Sequence, residues 1–393
     1  MHEPSPPMAT AAPRMLTSTQ RRLSLAAVIA TAAIFGLTYG LSAPLIADNL
    51  AEWGSGEALI GANAAMHALG VLLIAPLLPR LAVRYGQRGL IVTALLLSAG
   101  TLALFPLVPS IWLWFPLRFA LGAGAEVLGV LSETWTNDLA DDATRGRVMA
   151  IYMAALSLGF AGGPAILSVA GTGTAAYFIG AAIALLALVP VASPWTIAPA
   201  PLHADHAQPW RYLRLAPMAM TTTVLNSAVE TAGLSFVALY AGGLGWSEPA
   251  ALRLVTTLMI GAIALQLPIG WLADRMDRSR LVMLLAVLST LGALSWPFAL
   301  ATPWLAYATV FVWGGLFVGI YTVMLAIVGE RFSGAELVGI YAMMGLAWGL
   351  GALLGPASVG IGMQLSPVWG LPATIAGGCA LFALFMALRR HSV

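Results

Sequence analysis

Residues 23–46, LSLAAVIATAAIFGLTYGLSAPLI, carry no charged side chain and directly follow Arg21-Arg22. About 20 apolar residues wound at roughly 1.5 Å per residue cross the hydrocarbon of a bilayer, so this run is long enough to span one as a single helix. A basic pair before an apolar run also opens a secretory signal. The run here is longer than the roughly 7–15 residue core of such a signal and reads as an uncleaved first crossing.

Eleven further apolar runs follow near 58–79, 89–108, 111–136, 148–170, 175–193, 214–241, 250–273, 281–300, 303–328, 337–362 and 371–388, separated by Gly, Pro and charge clusters. The chain of 393 residues is 60% hydrophobic and only 9% charged, against about 25% charged in soluble domains. No soluble fold covers that much apolar surface, and twelve crossings leave little chain for a separate soluble domain. The expected fold is therefore all-α and integral to the membrane, with twelve transmembrane helices. The charge balance, +2 with every basic residue an arginine, carries no nucleic-acid footprint. The single cysteine, Cys379, lies in an apolar run and excludes a disulfide framework.

An even number of crossings puts both termini on one side and divides the loops into two sets. One set holds Arg14, Arg21, Arg22, Arg80, Arg84, Arg88, Arg145, Arg147, Arg211, Arg214, Arg275, Arg278, Arg280, Arg331, Arg389 and Arg390, while the other has Arg253 alone; Arg118 lies inside the fourth helix. The positive-inside rule then places both termini in the cytoplasm; the expected setting is a bacterial inner membrane. The expected units are a tail over 1–20, a six-helix bundle over 21–193, a cytoplasmic linker over 194–212, a second six-helix bundle over 213–388 and a tail over 389–393. His203, Asp205 and His206 fall in the Pro- and Ala-rich linker, where a solvated connection outweighs a metal site for want of further ligands.

A repeat supports the halving. Gly159-x-x-x-Gly163-Pro164 recurs as Gly351-x-x-x-Gly355-Pro356, 192 residues later. Two parallel halves related by an axis along the membrane normal form a central site between them and expose it alternately. In these motifs proline removes a backbone donor and glycine permits close helix approach, which suits a hinge or a tight seam; simple helix packing explains the glycines equally well.

Ionisable side chains at membrane depth cost about 2.5–3.5 kcal/mol on insertion scales, so they face a cavity, a partner or both. Along the fourth helix Glu126 lies about 80° and 12 Å from Arg118, and Glu133 returns to within about 20° of Glu126, a single stripe. Asn226 and Glu230 form a second stripe in the seventh helix, and Asn63 with His67 a third in the second. Carboxyl groups in a desolvated cavity exchange protons near neutral pH, which makes Glu126 and Glu230 the leading proton-coupling candidates, ahead of Arg118, Glu133, His67, Asn63 and Asn226. The competing structural reading pairs Glu126 with His67, or Arg118 with a backbone carbonyl. Tyr39, Tyr152, Tyr321, Tyr341 and Trp348 are candidates to line a pocket, and Trp112, Trp114, Trp246 and Trp304 fit an interfacial aromatic belt.

Gly270-Trp271-Leu272-Ala273-Asp274-Arg275, followed by Arg278 and Arg280 in the loop after the eighth helix, resembles the cytoplasmic loop signature of the major facilitator superfamily. Arg118-Phe119-Ala120-Leu121-Gly122-Ala123-Gly124-Ala125 resembles that family's second signature and Gly159 to Pro164 its third. Glu133-Thr134-Trp135, Arg145-Gly146-Arg147 with Tyr152, and Gln266-Leu267-Pro268-Ile269-Gly270 are similar to its YcaD-like branch. The resemblance implies two pseudo-symmetric six-helix bundles, a functional Arg118, and a secondary transporter of alternating access. It also associates the helix 5 motif with exporters, although Leu167 and Ser168 stand where the longer motif has glycines.

After the second helix the same signature aligns with Pro79 to Arg88 and has Val83 in place of its acid, so only the second-half copy is complete. Asp274 is expected to sit against the positive start of a neighbouring helix, near Arg145 and Arg147, as a latch; the plainer reading is that it orients its own loop. The composite expectation is proton-coupled efflux of a small organic solute by a monomer in contact with membrane lipid, with the proton as coupling ion, no cofactor and no metal. Uptake by symport or facilitation and a non-transporting solute sensor are the alternatives. No phosphate loop is present for direct ATP use, and neither a nucleophile–base pair nor metal-ligand spacing supports an intramembrane enzyme.

Overall fold

The computed structural model describes residues 17–140, 145–197, 210–332 and 334–390. Among these, twelve helices are long and apolar enough to cross a membrane: α1 (Ser18–Glu52), α2 (Glu57–Tyr85), α3 (Gln87–Leu107), α4 (Ile111–Thr136), α5 (Ile151–Ala170), α6 (Thr174–Ala192), α7 (Pro217–Gly243), α8 (Glu248–Ala273), α9 (Arg278–Ala299), α10 (Pro303–Arg331), α11 (Met343–Leu365) and α12 (Gly370–Leu388). The helix of α5 begins already at Arg145 and that of α11 at Gly334.

Local chemistry sets several boundaries. Thr17 and Gln20 form a reciprocal capping box at the start of α1, and the Asp277 side chain accepts from the Arg280 N–H at 2.7 Å to start α9. Pro76 and Pro106, which lack a backbone donor, sit in single 3-10 turns within α2 and α3.

The packing repeats with the sequence. α1 packs on α5, α2 on α4, and α3 on both α4 and α6; the same pairs recur as α7 on α11, α8 on α10, and α9 on both α10 and α12. The halves meet along α2 with α11 and α5 with α8, two seams that also exchange under the six-helix shift, and α1 meets α7 between them. A pseudo-two-fold axis along the helices follows.

The Gly-x-x-x-Gly-Pro motifs lie on corresponding seams inside each half. A β-carbon on Gly159 or Gly163 would be driven into the α1 backbone at Ala33 and at Gly40 and Leu41; one on Gly351 or Gly355 would meet the α7 backbone at Val224 and Ala228. Tyr240 and Tyr177 are buried in the two bundles. Trp112 and Trp304 are exposed as a belt requires, but Trp114 is buried and donates to the Val108 carbonyl at 2.9 Å, and Trp246 donates to the Leu300 carbonyl at 2.9 Å. Those two cap helix ends from within because each indole N–H finds a carbonyl there.

Residues 193–197 stay with the first half. Arg88 donates to the Ser193 carbonyl, Trp135 to the Ile197 carbonyl at 3.1 Å, and the Ile197 N–H donates to Ser24 at 2.9 Å. His203, Asp205 and His206 lie outside the described residues.

Candidate functional site

Glu230 sits at mid-length of α7, on the side where the halves face one another. Asn226, one turn earlier, donates its Nδ2–H to the Glu230 carboxylate at 3.3 Å, and the Trp348 indole of α11 lies beside the same carboxylate. Tyr39 of α1, in the other half, lies within electrostatic reach of both Glu230 and Arg118. Its ring meets that of His67 edge-on at 4.6 Å and that of Phe160 at 5.7 Å. Tyr39, His67, Glu230 and Trp348 thus share one level of the bundle, drawn from α1, α2, α7 and α11. Asn63 and His67 are buried, and both amide atoms of Asn63 and Nδ1 of His67 have no hydrogen-bond partner among the described residues.

Arg118 is placed differently from the stripe expected on α4. It is 1% exposed and donates to the Ser42 carbonyl of α1 at 3.2 Å, inside the first half. The structural pairing considered for it is the one present. The reason is rotation: about 80° separates it from Glu126, enough to turn it from the gap into the α1–α4 packing. Gly122 and Gly124 lie on packed faces, against His67 of α2 and against Ser98 and Ala94 of α3.

Towards the arginine-rich end polar side chains become exposed. Glu126 is half-buried and Glu133 exposed, and Tyr321 of α10 reaches the electrostatic neighbourhood of Glu230, Glu133 and Tyr341 together. Tyr341 is 42% exposed. Tyr152 is instead packed: its hydroxyl meets Ser132 at 3.1 Å and donates to the Gly129 carbonyl at 3.3 Å, tying α5 to α4.

The loop signature lies at the same end. Asp274 has its side chain 75% exposed, with Arg278 at 3.7 Å, and Arg278 also reaches Glu330 of α10 at 2.8 Å. Arg275 stacks its guanidinium over Trp271 at 3.8 Å, and Gly270 has open space around it. The side chains of Arg145 and Arg147, the expected partners of Asp274, lie outside the described residues.

The arginine-poor end is closed by contacts that sequence reading did not single out. Gly171, at φ +77°, ends α5 in a left-handed turn. Thr172 then presents its N–H and hydroxyl to Glu248 at the start of α8, at 3.0 and 2.9 Å. The same hydroxyl lies 2.6 Å from Asp48 of α1, and Asn49 donates to the Thr172 carbonyl at 2.8 Å. The clasp joins the two halves. Beside it α2 and α11 interlock: a β-carbon on Gly61 would strike the Pro356 carbonyl, and one on Gly360 the Glu57 carbonyl. The available signal was a set of acids at helix ends on the face poor in arginine, Asp48, Glu52, Glu57 and Glu248; a lone threonine between Gly and Gly gave none.

Comparison with known proteins follows the same line. The family model described as Major Facilitator Superfamily matches residues 26–254 and 220–392. The MFS-type transporter YfkF of Bacillus subtilis (strain 168) is 28% identical over 341 residues, 84% of this chain and 86% of that protein. The MFS-type transporter YcaD of Escherichia fergusonii is 25% identical over 304 residues, 76% and 77% of the two chains. Among solved structures, the nucleoside transporter NupG superposes with a TM-score of 0.75 at 14% identity, covering 94% of this chain and 98% of that one. A D-xylose-proton symporter gives 0.74 at 16% identity, covering 92% and 97%.

Proposed function

The chain belongs to the major facilitator superfamily, and from that premise we propose that it is a secondary transporter exchanging a small organic solute for protons by alternating access. The observation that carries this reading is Glu230, held by Asn226 beside Trp348 at the level where Tyr39 and His67 approach from the other half. A carboxyl group at the junction of two rocking bodies meets water from one side at a time. Proton loss and solute binding can then compete for it.

Glu126 lies between this junction and the exposed Glu133 and serves as the second proton site on the way to the arginine-rich end. By the positive-inside rule that end is cytoplasmic, which makes the present arrangement open inward and closed outward, with the chain in a bacterial inner membrane. The clasp at Thr172 and the interlocked α2–α11 seam support the closed side; the exposure of Glu133, Tyr341 and Asp274 supports the open one. Asp274 acts as a latch on the start of α5 when the inner side shuts.

Proton release on solute addition to purified protein, followed with a pH indicator in weak buffer, tests the coupling. Wild type is expected to release protons with saturation, and Glu126→Gln with Glu230→Gln is expected to bind without release. Solute binding by wild type with no proton change would replace exchange with facilitated diffusion.

A further inference from the structure

Glu230 has a second environment. It also borders a crevice inside the second half, lined by Trp296, Trp313, Phe317, Leu258 and Ile375. The rings form a continuous wall: Trp296 meets Trp313 edge-on at 5.0 Å, and Trp313 stacks on Phe317 at 5.2 Å. An anion at the mouth of an aromatic wall is the chemistry that receives an organic cation, through the carboxylate and the negative ring faces together.

The polar atoms around Glu230 narrow the class. Asn226 is 7% exposed, and because a carboxylate only accepts, the amide turns its nitrogen to Glu230 and leaves Oδ1 free. That buried oxygen has no partner among the described residues. Two acceptors side by side call for a ligand with N–H donors. The cation on hand does not supply them: Arg118 lies inside the first half, where it donates to the Ser42 carbonyl, and is not among the groups acting on Glu230. Glu126 and Glu133 extend the same sign of charge along the gap.

We propose that the transported solute is a protonated amine with an apolar or aromatic body, its ammonium on Glu230 and Asn226 Oδ1 and its body in the Trp296–Trp313–Phe317 crevice. This rests on the central-site reading above and adds the chemical class to it. The crevice as it stands has a free volume of about 20 Å³, room for little more than a water molecule, so the body of the solute enters it only as the second half opens around it.

Calorimetric titration of the full-length protein in lipid nanodiscs tests it with three probes of similar size: 2-phenylethylamine, 2-phenylethanol and 3-phenylpropionate. The amine is expected to bind at least about tenfold tighter than the alcohol, a difference of about 1.4 kcal/mol, and the acid not to bind. Glu230→Gln is expected to bring amine and alcohol together while the alcohol still binds, which shows that the variant is folded. Asn226→Leu is expected to weaken the primary amine and spare its trimethylammonium analogue. Phe317→Ala is expected to weaken amine and alcohol alike. Equal binding of amine and alcohol, tighter binding of the acid, or no binding in the series overturns the proposal. The parent reading fails separately: amide hydrogen exchange along the α2–α11 seam that is unchanged by loosening the Thr172 clasp argues against alternating access whatever the probes do.

Discussion

Arg118 shows how one side chain at membrane depth is accounted for. Its guanidinium lies in the first half with a single described carbonyl acceptor, Ser42, and Tyr39 and Tyr177 within electrostatic reach. A hydrogen bond from a charged donor contributes about 1.5–3 kcal/mol. Arg118→Ala is therefore expected to lower the thermal midpoint in detergent by several degrees, and Arg118→Lys to recover part of the loss. If Arg118→Ala left the midpoint unchanged while abolishing flux, its role would lie in the solute path instead. Helix rotation decided this placement. The sequence put Arg118, Glu126 and Glu133 on one broad stripe, but only packing separated the arginine, facing α1, from the acids, facing the gap. A helix apolar on nearly every side carries no stripe sharp enough to show which of two polar faces meets water.

At the scale of elements, the glycine motifs work as paired seams. The backbones of α5 and α11 approach those of α1 and α7 so closely that a methyl group has no room at Gly163 or Gly355. Overpacking of this kind costs about 1–3 kcal/mol and sometimes more. Gly163→Ala and Gly355→Ala are expected to destabilise by similar amounts, because the two seams correspond, whereas Gly233→Ala, with open space around it, is expected to be neutral or slightly stabilising. Thermal unfolding of the three variants side by side is the check; unequal losses at the first two positions would show that the seams are not equivalent. These motifs were legible as a repeat in the sequence. Their partners were not, since a small-residue pattern says that something approaches closely and not which helix it is.

For the whole molecule, the two ends of the interface between halves are unlike. The clasp of Thr172 on Glu248 and Asp48 holds the arginine-poor end shut, and its loss removes a hydroxyl hydrogen bond to a carboxylate in one state only. At about 1.5–3 kcal/mol, Thr172→Val is expected to move the balance towards the state open at that end by about tenfold or more. Disulfide trapping between Gly56→Cys and Gln364→Cys, positions that face one another across the α2–α11 seam at that end, in a background with Cys379 replaced by serine, is expected to slow in that variant; unchanged trapping would assign the clasp a local role. Glu248→Gln is expected to be milder, since its amide oxygen still accepts from the Thr172 N–H. The sequence by itself determined the twelve apolar runs, their pairing into two halves and the arginine bias between the two faces, because hydrophobic length, repetition and charge count are properties of the chain read in order. The tertiary structure decided which acids face the gap, what Glu230 has behind it, and that Thr172 clasps the far end. Those depend on helix rotation and on contacts between residues 76 to 124 positions apart, which no local pattern encodes.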